Sequence, residues 1–342
     1  MSAAATAPIR VGVIGAGRIG RLHAELLARR VPGATVGAVY DVHEPFAVDV
    51  AGELGVPLAR SLDEVLDGDM EAVAVCSSAD SHVDLIVAAA QAGKAVFVEK
   101  PVSLDLDELE RGLDAVESAG VPFQVGFNRR FDPAHASVRE AVAAGQIGEP
   151  HLVRISSRDP EPPPVSYVRT SGGLFLDMMI HDFDMARFVT NSEVVEVFAR
   201  GSVRVVPEFA EVGDIDTALV MLVHANGCLT AIDNSRRAAY GFDQRVEVFG
   251  SEGMAASENP LVHTGFVMTA VGTQRMTLPD FFLERYLPSY EREWRAFVDA
   301  LRDGTPPPVT GEDARAPLVI GLAAWQSLRE GRPVRLDEVT AH

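Results

Sequence analysis

Lys100 is the first residue whose type and position indicate chemistry. It stands in the tripeptide Glu99-Lys100-Pro101, and only one other lysine, Lys94, occurs among the 30 basic residues of the chain. A chain that uses arginine almost everywhere else keeps lysine where a compact charge with freely directed donors, or a group able to lose a proton, is needed. Lys100 is therefore a candidate for binding a reacting oxygen, although a plain surface lysine after a strand is the alternative.

Asp177 and His181 form a second candidate pair. They are four residues apart in a segment, residues 172–189, that the sequence predicts to be one helix, so they should share a helix face. A histidine beside a carboxylate is suited to act as a general base. An ordinary solvated helix face stays an alternative. A metal site at His181, Asp182 and Asp184 is not expected, because no second histidine follows at a ligand-like spacing.

A glycine-rich turn supplies the third feature. Gly15-x-Gly17-x-x-Gly20 lies between a predicted buried strand at Ile9–Ile14 and a predicted helix, which lets the backbone approach a pyrophosphate at the helix N-terminus. Asp41 ends the next predicted strand, where a carboxylate receives ribose hydroxyls and repels a 2′-phosphate. The pattern favours NAD over NADP. FAD, another adenine nucleotide or a turn without ligand are the alternatives.

Two predicted domains position these residues. Strands alternate with helices up to residue 126, which predicts a parallel, doubly wound α/β sheet with Lys100 at the carboxyl end of one strand. After that point the strand-like runs follow one another with turn signals between, which predicts an α+β part with an open, mostly antiparallel sheet. We assign residues 1–126 to cofactor binding and residues 127–342 to substrate binding and oligomerisation.

Composition excludes several classes of protein. The net charge of −19 argues against nucleic-acid and anionic-membrane surfaces, and no apolar run is long enough to cross a membrane. Two cysteines are too few for a disulfide framework, which fits a cytoplasmic location. The first eight residues lack the charged start and apolar core of a signal peptide, and we expect a frayed tail there.

The three features together resemble the Gfo/Idh/MocA oxidoreductase family. The glycine turn, the Glu-Lys-Pro tripeptide and the Asp-x-x-x-His pair occur in the family's order, and the likeness runs from about Ile9 to Leu336. Further segments are similar to inositol-oxidising members of the family, and these are residues 125–132, 157–160, 171–173, 181–187, 233–237 and 240–244.

The resemblance implies a Rossmann domain followed by an α/β domain whose open sheet often serves in oligomer contacts, and it suggests a homotetramer. It implies catalytic roles for Lys100, Asp177 and His181. The cofactor site would comprise Gly15, Gly17, Arg18, Ile19, Gly20, Asp41, Cys76, Ser77, Ser78, His82, Glu99, Lys100 and Arg129. The substrate site would comprise Lys100, Asn128, Arg129, Asp159, Asp177, His181 and Tyr240.

The implied activity is NAD-dependent oxidation of a cyclic polyol hydroxyl to a ketone, with myo-inositol as the first choice of substrate. Ser157 stands where some inositol-oxidising relatives carry a histidine, and Asp159 where they carry an asparagine. This leaves scyllo-inositol, or a pyranose such as L-glucose, as alternatives. A non-catalytic NAD-binding regulator is disfavoured, because a regulator need not keep an acid–base set.

Overall fold

The computed structural model describes residues 7–339, which form two compact units. Among the described residues, one unit contains residues 7–128 and 290–315, and the other contains residues 129–289 and 316–339. The first unit thus includes a late segment that lies beyond residue 126. The functional assignment of the two predicted domains stays a prediction. Most of the expected N-terminal tail, residues 1–6, lies outside the described residues.

The first unit is built on a parallel sheet. Its strands and helices before residue 128 are β1 (Ile9–Ile14), α1 (Arg18–Arg29), β2 (Ala34–Tyr40), α2 (Glu44–Leu54), α3 (Leu62–Leu66), β3 (Ala72–Val75), α4 (Ala79–Gln91), β4 (Ala95–Glu99), α5 (Leu106–Ala119) and β5 (Phe123–Gly126). The five strands are parallel in the order β2-β1-β3-β4-β5. The predicted doubly wound sheet is confirmed, and α2 is an additional helix that the sequence pattern did not predict.

Helix caps and strand burial explain this unit. The central strands β3 and β4 are buried and apolar except for Glu99 at the end of β4, as expected where helices cover both faces of a parallel sheet. Ser61 Oγ accepts a hydrogen bond from the Glu64 N–H at 3.2 Å, and Asp105 Oδ1 accepts one from the Glu108 N–H at 2.9 Å. These caps begin α3 and α5 and so fix the connections between strands. The carboxyl ends of all five strands consequently lie at one edge of the sheet.

The second unit is built on a mostly antiparallel sheet. Its elements are α6 (Pro133–Ala143), β6 (Pro150–Arg158), α7 (Val165–Val168), α8 (Gly173–Asp177), α9 (Ile180–Thr190), β7 (Val194–Ser202), β8 (Thr217–His224), β9 (Leu229–Ser235), β10 (Asp243–Gly250), β11 (Met254–Ser257), β12 (Phe266–Thr269), β13 (Gly272–Arg275) and β14 (Val334–Arg335). Seven strands pair in the order β11-β10-β6-β9-β8-β7-β14, and only β6 and β9 run parallel. The predicted mostly antiparallel sheet is confirmed.

The core of this unit lies between one face of the sheet and the helices that cover it. Phe175 and Phe183 from α8 and α9 pack with Val153, Val220 and Val248 from three strands, and all five are fully buried. The opposite sheet face carries half-exposed and exposed side chains. β12 and β13 form a separate exposed hairpin that the sequence pattern did not predict.

Two long helices close the chain. They are α10 (Phe282–Asp303) and α11 (Gly311–Glu330), and each contributes residues to both units. Among the described residues, none of the helices has the length and apolarity that crossing a membrane requires.

Candidate active site

The glycine turn between β1 and α1 has two glycines that the fold itself requires. Gly15 has a φ of +94°, and a Cβ there would lie 2.5 Å from the Ser77 backbone nitrogen. A Cβ on Gly20 would lie 1.9 Å from the Gly15 carbonyl oxygen. These two positions therefore exclude side chains because the strand end, the turn and the helix pack against one another.

Gly17 differs from its neighbours, because a Cβ built there meets no atom within 4 Å. The fold therefore does not need glycine at this position, and the open space lies at the N-terminus of α1. Asp41 follows β2, and its Oδ2 accepts a hydrogen bond from the Ala16 N–H at 2.6 Å. Free space at a helix N-terminus, beside a carboxylate at the end of the second strand, fits the pyrophosphate and ribose of a dinucleotide.

The end of β3 carries Cys76, Ser77 and Ser78, and His82 follows in α4. Cys76 is 4% exposed, and burial raises the pKa of its thiol well above the usual value. Cys76 also packs against the glycine turn, beside Gly15 and Gly20. The buried His82 lies between two backbone carbonyls, with Nε2 3.0 Å from the Ser77 oxygen and Nδ1 2.9 Å from the Pro101 oxygen. His82 therefore joins the ends of β3 and β4.

Lys100 follows β4 directly and is half-buried. Its backbone N–H donates to Glu99 Oε2 at 3.1 Å, and the Lys100–Pro101 peptide bond is cis. Asn128 is buried just beyond β5. Arg18 and Ile19 open α1, with Arg18 exposed and Ile19 half-buried. The first unit thus gathers all the predicted cofactor residues except Arg129 at one edge of its sheet, together with Lys100 and Asn128.

The segment that carries Asp177 and His181 corrects one expectation. The predicted single helix over residues 172–189 is wrong, because α8 ends at Asp177 and α9 begins at Ile180. The Met179 N–H bonds to the Leu174 oxygen, five residues back, and the Asp182 N–H bonds to the Met179 oxygen, three residues back. This interruption of the regular ladder means that the two residues do not stand one helical turn apart on a continuous face. Such local irregularities are frequent at functional sites.

Positive-φ glycines and a distant carboxylate fix the start of this segment. Gly172 and Gly173 have φ values of +82° and +73°. Asp214 Oδ1 accepts the Leu174 N–H at 3.0 Å, and a Cβ on Gly173 would lie 2.6 Å from the same oxygen. The Gly-Gly pair is therefore needed to let the Asp214 carboxylate approach the first turn of α8.

Asp177 is held by two side chains that the sequence did not single out as site residues. The Tyr167 hydroxyl donates to its Oδ1 at 2.9 Å, and Arg236 Nη1 donates to its Oδ2 at 3.2 Å. Arg236 is 1% exposed and also lies 3.8 Å from Asp214 Oδ2. A buried guanidinium between two carboxylates fixes the position of Asp177 through charge-assisted hydrogen bonding. His181, in the first turn of α9, is half-buried.

Asp159 belongs to the same polar cluster. Burial raises the pKa of its carboxyl to about 6, and the charges of Asp177 and Asp182 act in the same direction. Arg129 and Arg236 act in the opposite direction and limit this rise. A buried carboxyl whose pKa is raised beside several charged side chains is typical of a functional site.

Arg129 and Ser157 lie in a buried network with Asp182. Arg129 Nη1 donates to Asp182 Oδ1 at 2.8 Å and to Ser157 Oγ at 2.9 Å. Ser157 Oγ lies 2.6 Å from both Asp182 Oδ1 and Gln244 Oε1, and its single hydrogen serves one of them at a time. Ser157 is thus fully buried among protein groups.

Tyr240 is 44% exposed, and its hydroxyl is engaged by charged neighbours. Arg158 Nη1 donates to this hydroxyl at 2.8 Å, and the hydroxyl donates to Asp243 Oδ2 at 2.7 Å. Asp184, which belongs to the group for which a metal site was not expected, accepts a hydrogen bond from Arg130 Nη2 at 2.5 Å. The second unit therefore contains Arg129, Asp159, Asp177, His181 and Tyr240. Arg236 links Asp159 with Asp177, whereas the Tyr240 hydroxyl is held by Arg158 and Asp243 instead.

Comparison with known proteins identifies the family. Residues 9–127 match the model of an oxidoreductase family with an NAD-binding Rossmann fold, and residues 135–256 match the GFO/IDH/MocA C-terminal domain. The chain belongs to the Gfo/Idh/MocA oxidoreductase family. The resemblance seen in the sequence is confirmed. The prediction of an NAD-dependent oxidoreductase with a Rossmann fold is confirmed as well.

Relatives within the Gfo/Idh/MocA family span the whole chain. It is 47% identical to myo-inositol 2-dehydrogenase of Thermotoga maritima, over 97% of this chain and 99% of that protein. It is 42% identical to inositol 2-dehydrogenase of Rhizobium meliloti, over 96% of this chain and 99% of that protein.

Solved structures of Gfo/Idh/MocA proteins agree with the fold. A probable dehydrogenase from Thermotoga maritima matches with a TM-score of 0.95 and 47% identity, covering 97% of this chain and 100% of that chain. A scyllo-inositol dehydrogenase from Lactobacillus casei, solved with NAD(H) and scyllo-inositol, matches with a TM-score of 0.90 and 30% identity, covering 96% and 99%.

Proposed function

We propose that the protein oxidises one ring hydroxyl of a cyclic polyol with NAD, and that it converts myo-inositol to 2-keto-myo-inositol (scyllo-inosose). The full-length likeness to inositol 2-dehydrogenases supports the reaction class. The relative solved with NAD(H) and scyllo-inositol supports pairing this cofactor with a cyclitol.

The observation that carries the proposal is the cluster around Asp177. Two carboxyl groups, Asp159 and Asp177, share the electrostatic influence of the buried Arg236. Carboxylates accept hydrogen bonds from several neighbouring hydroxyls, and arginines donate to ring oxygens. A polar cluster of this kind suits a polyol and rejects analogues that lack a hydroxyl, because its own polar groups would lose their partners.

The chemical roles follow from residue type and placement. His181 would take the proton of the reacting hydroxyl, and Asp177 would orient the imidazole or bind the adjacent hydroxyl. Lys100 would bind the reacting oxygen and stabilise the negative charge that develops on it. The glycine turn and Asp41 would hold the pyrophosphate and ribose. NAD, when bound, accepts the hydride from the ring carbon.

The choice among ring isomers rests on Asp159 more than on Ser157. Ser157 contacts Asp182, Gln244 and Arg129 and is fully buried, so it acts on a ligand only through these neighbours. Asp159 is half-buried and belongs to the Asp177 cluster. An acidic group here keeps scyllo-inositol, and a pyranose such as L-glucose, as second candidates.

The decisive experiment follows NADH absorbance with purified protein, NAD and myo-inositol, against a panel of scyllo-inositol and L-glucose and against NADP. We expect turnover with NAD and myo-inositol, and a loss of at least about a hundredfold in Lys100→Met and in His181→Ala while NAD still binds. No turnover with any polyol would overturn the proposal. Turnover with another panel member alone would correct the substrate, and near-normal turnover in either variant would remove that residue from the mechanism.

We also propose a homotetramer that works in the cytoplasm. Val223, Leu229, Leu152, Phe249 and Met254 are register partners across β8, β9, β6, β10 and β11, so they form one apolar row on the outward sheet face. Phe249 is 51% exposed and Met254 is 56% exposed. Apolar rows of this extent are typical of association surfaces. Both cysteines are buried and free, which supports a reducing compartment.

A further inference from the structure

A chain of buried hydrogen bonds leads from α10 to the backbone of Lys100, and its first link is Trp294. The indole Nε1 of Trp294 lies 2.7 Å from His23 Nδ1, and both side chains are fully buried. An indole N–H can only donate, so His23 Nδ1 must be the acceptor. The proton of the neutral imidazole then resides on Nε2. The tautomer of His23 is therefore set by Trp294.

Glu99 forms the second link. Its Oε1 lies 2.7 Å from His23 Nε2, so the Nε2–H donates to this carboxylate. The other oxygen, Oε2, accepts the backbone N–H of Lys100 at 3.1 Å. Gly126 on the neighbouring strand leaves room for this arrangement, because a Cβ there would lie only 3.2 Å from Oε2. Both carboxylate oxygens of Glu99 thus accept hydrogen bonds from fixed donors.

Rigid packing fixes the donor end of this chain. The Trp294 ring stacks on Phe97, with centroids 4.3 Å apart and an interplanar angle of 25°. Phe297 meets Trp294 edge-on at 5.7 Å, and Phe97 meets the His23 ring edge-on at 5.3 Å. Phe97 and Phe297 therefore hold the indole ring of Trp294 in place, with its N–H directed at His23.

We propose that Trp294, His23 and Glu99 are positioning residues that set the orientation of Lys100 for hydride transfer. This inference rests on the proposed catalytic role of Lys100. The Glu99 carboxylate holds the Lys100 backbone, His23 holds the carboxylate, and Trp294 keeps the imidazole in the tautomer that can donate. A displacement of about 1 Å at a catalytic group can lower the rate by about a hundredfold. Even a modest loosening of this chain should therefore lower kcat.

The first test removes the indole donor with Trp294→Phe, which keeps an aromatic ring. We expect kcat for the polyol to fall by about tenfold while the Kd for NAD stays within about twofold of the wild type. Nitrogen NMR of histidine-labelled protein should show the Nε2–H tautomer of His23 in the wild type and a mixture in Trp294→Phe. Phe123→Leu is the control, because Phe123 is a buried aromatic residue at the start of β5 in the same unit and is not a member of the chain, and its kcat should change by less than about twofold.

The second test compares two replacements of His23. Glutamine supplies one acceptor and one donor group, whereas methionine fills similar volume without either. We expect His23→Gln to retain about ten times the kcat of His23→Met. This pair keeps the inference testable if Trp294→Phe fails to fold.

The outcomes separate this inference from the proposed function. If Lys100→Met abolishes turnover but Trp294→Phe keeps kcat, or the two His23 variants match, the positioning role is overturned and the function stands. A wild-type Nδ1–H tautomer would overturn it as well. If Lys100→Met itself keeps turnover, the proposed role of Lys100 has failed, and the inference fails with it.

Discussion

At the scale of single residues, the sequence indicated candidate side chains for the chemistry but not the side chains that hold them. Gly15, Gly20 and Asp41 lie where their spacing predicted, because a short local turn determines them. Arg236 is 59 residues from Asp177, and Trp294 is 271 residues from His23. Only tertiary packing brings such pairs together, so no local pattern in the chain could have found either partner.

Asp159 makes a prediction about the pH dependence of activity. Its pKa is raised to about 6, so below that pH its carboxyl is protonated and loses acceptor capacity toward a polyol hydroxyl. We expect kcat/KM for the polyol to fall as the pH drops through about 6 and to do so less in Asp159→Asn. Initial rates between about pH 5 and 8 check this. An unchanged acid limb in Asp159→Asn would assign that limb to another group, such as His181.

The same carboxyl affects stability with the opposite trend. A pKa raised in the folded state gives a stabilising contribution that is present below the unfolded pKa and is lost as the pH rises through about 6. Asp159→Asn should therefore have a higher Tm than the wild type above about pH 7, with the difference shrinking toward about pH 4. Equal Tm differences at both pH values would contradict burial as the cause of the shift.

At the scale of elements, most strands and helices followed from their apolar patterns, whereas α2, the β12–β13 hairpin and the break between α8 and α9 did not. Residues 172–189 are apolar on most sides, and α9 is buried almost throughout, so periodicity gave no sign of where the ladder is interrupted. The start of α8 likewise depends on a distant residue, because Asp214 accepts the Leu174 N–H from a loop about 40 residues later. Long-range capping of this kind is invisible in a local pattern.

The glycine turn offers a matched pair of variants at this scale. A Cβ on Gly17 meets nothing within 4 Å and its φ of −65° suits alanine, whereas a Cβ on Gly20 would lie 1.9 Å from a carbonyl oxygen. We expect Gly17→Ala to keep the wild-type Tm but to weaken NAD binding by about tenfold or more, since the methyl group occupies the pyrophosphate space. Gly20→Ala should instead lower Tm. Fluorescence titration with NAD and thermal unfolding separate the two effects. Tight NAD binding by Gly17→Ala would show that the pyrophosphate does not bind beside Gly17.

At the scale of the whole molecule, the two-part architecture could be predicted because the strand pattern changes from alternating with helices to following one another. Its finer division could not, because residues 290–315 return to the first unit late in the chain. Their apolar face has the pattern of any amphipathic helix, and this pattern does not predict which unit the helix packs against. The apolar row of the second unit was equally hidden, since its five members become neighbours only through strand register.

That apolar row carries the last prediction, the effect of Phe249→Glu on assembly. If the outward sheet face is an interface between copies, a carboxylate in the middle of the row would be buried without a partner, which costs several kcal/mol. We expect light scattering after gel filtration to report a tetramer for the wild type and a smaller species for Phe249→Glu. Phe46→Glu is the control, because Phe46 is similarly exposed, at 55%, but lies on α2 of the other unit. A tetramer that survives Phe249→Glu, or one lost equally in Phe46→Glu, would exclude this face as the contact. Loss of the tetramer in a Phe249→Glu protein that stays folded and still binds NAD would show that the row serves assembly, because the nucleotide turn, in the first unit, does not depend on it.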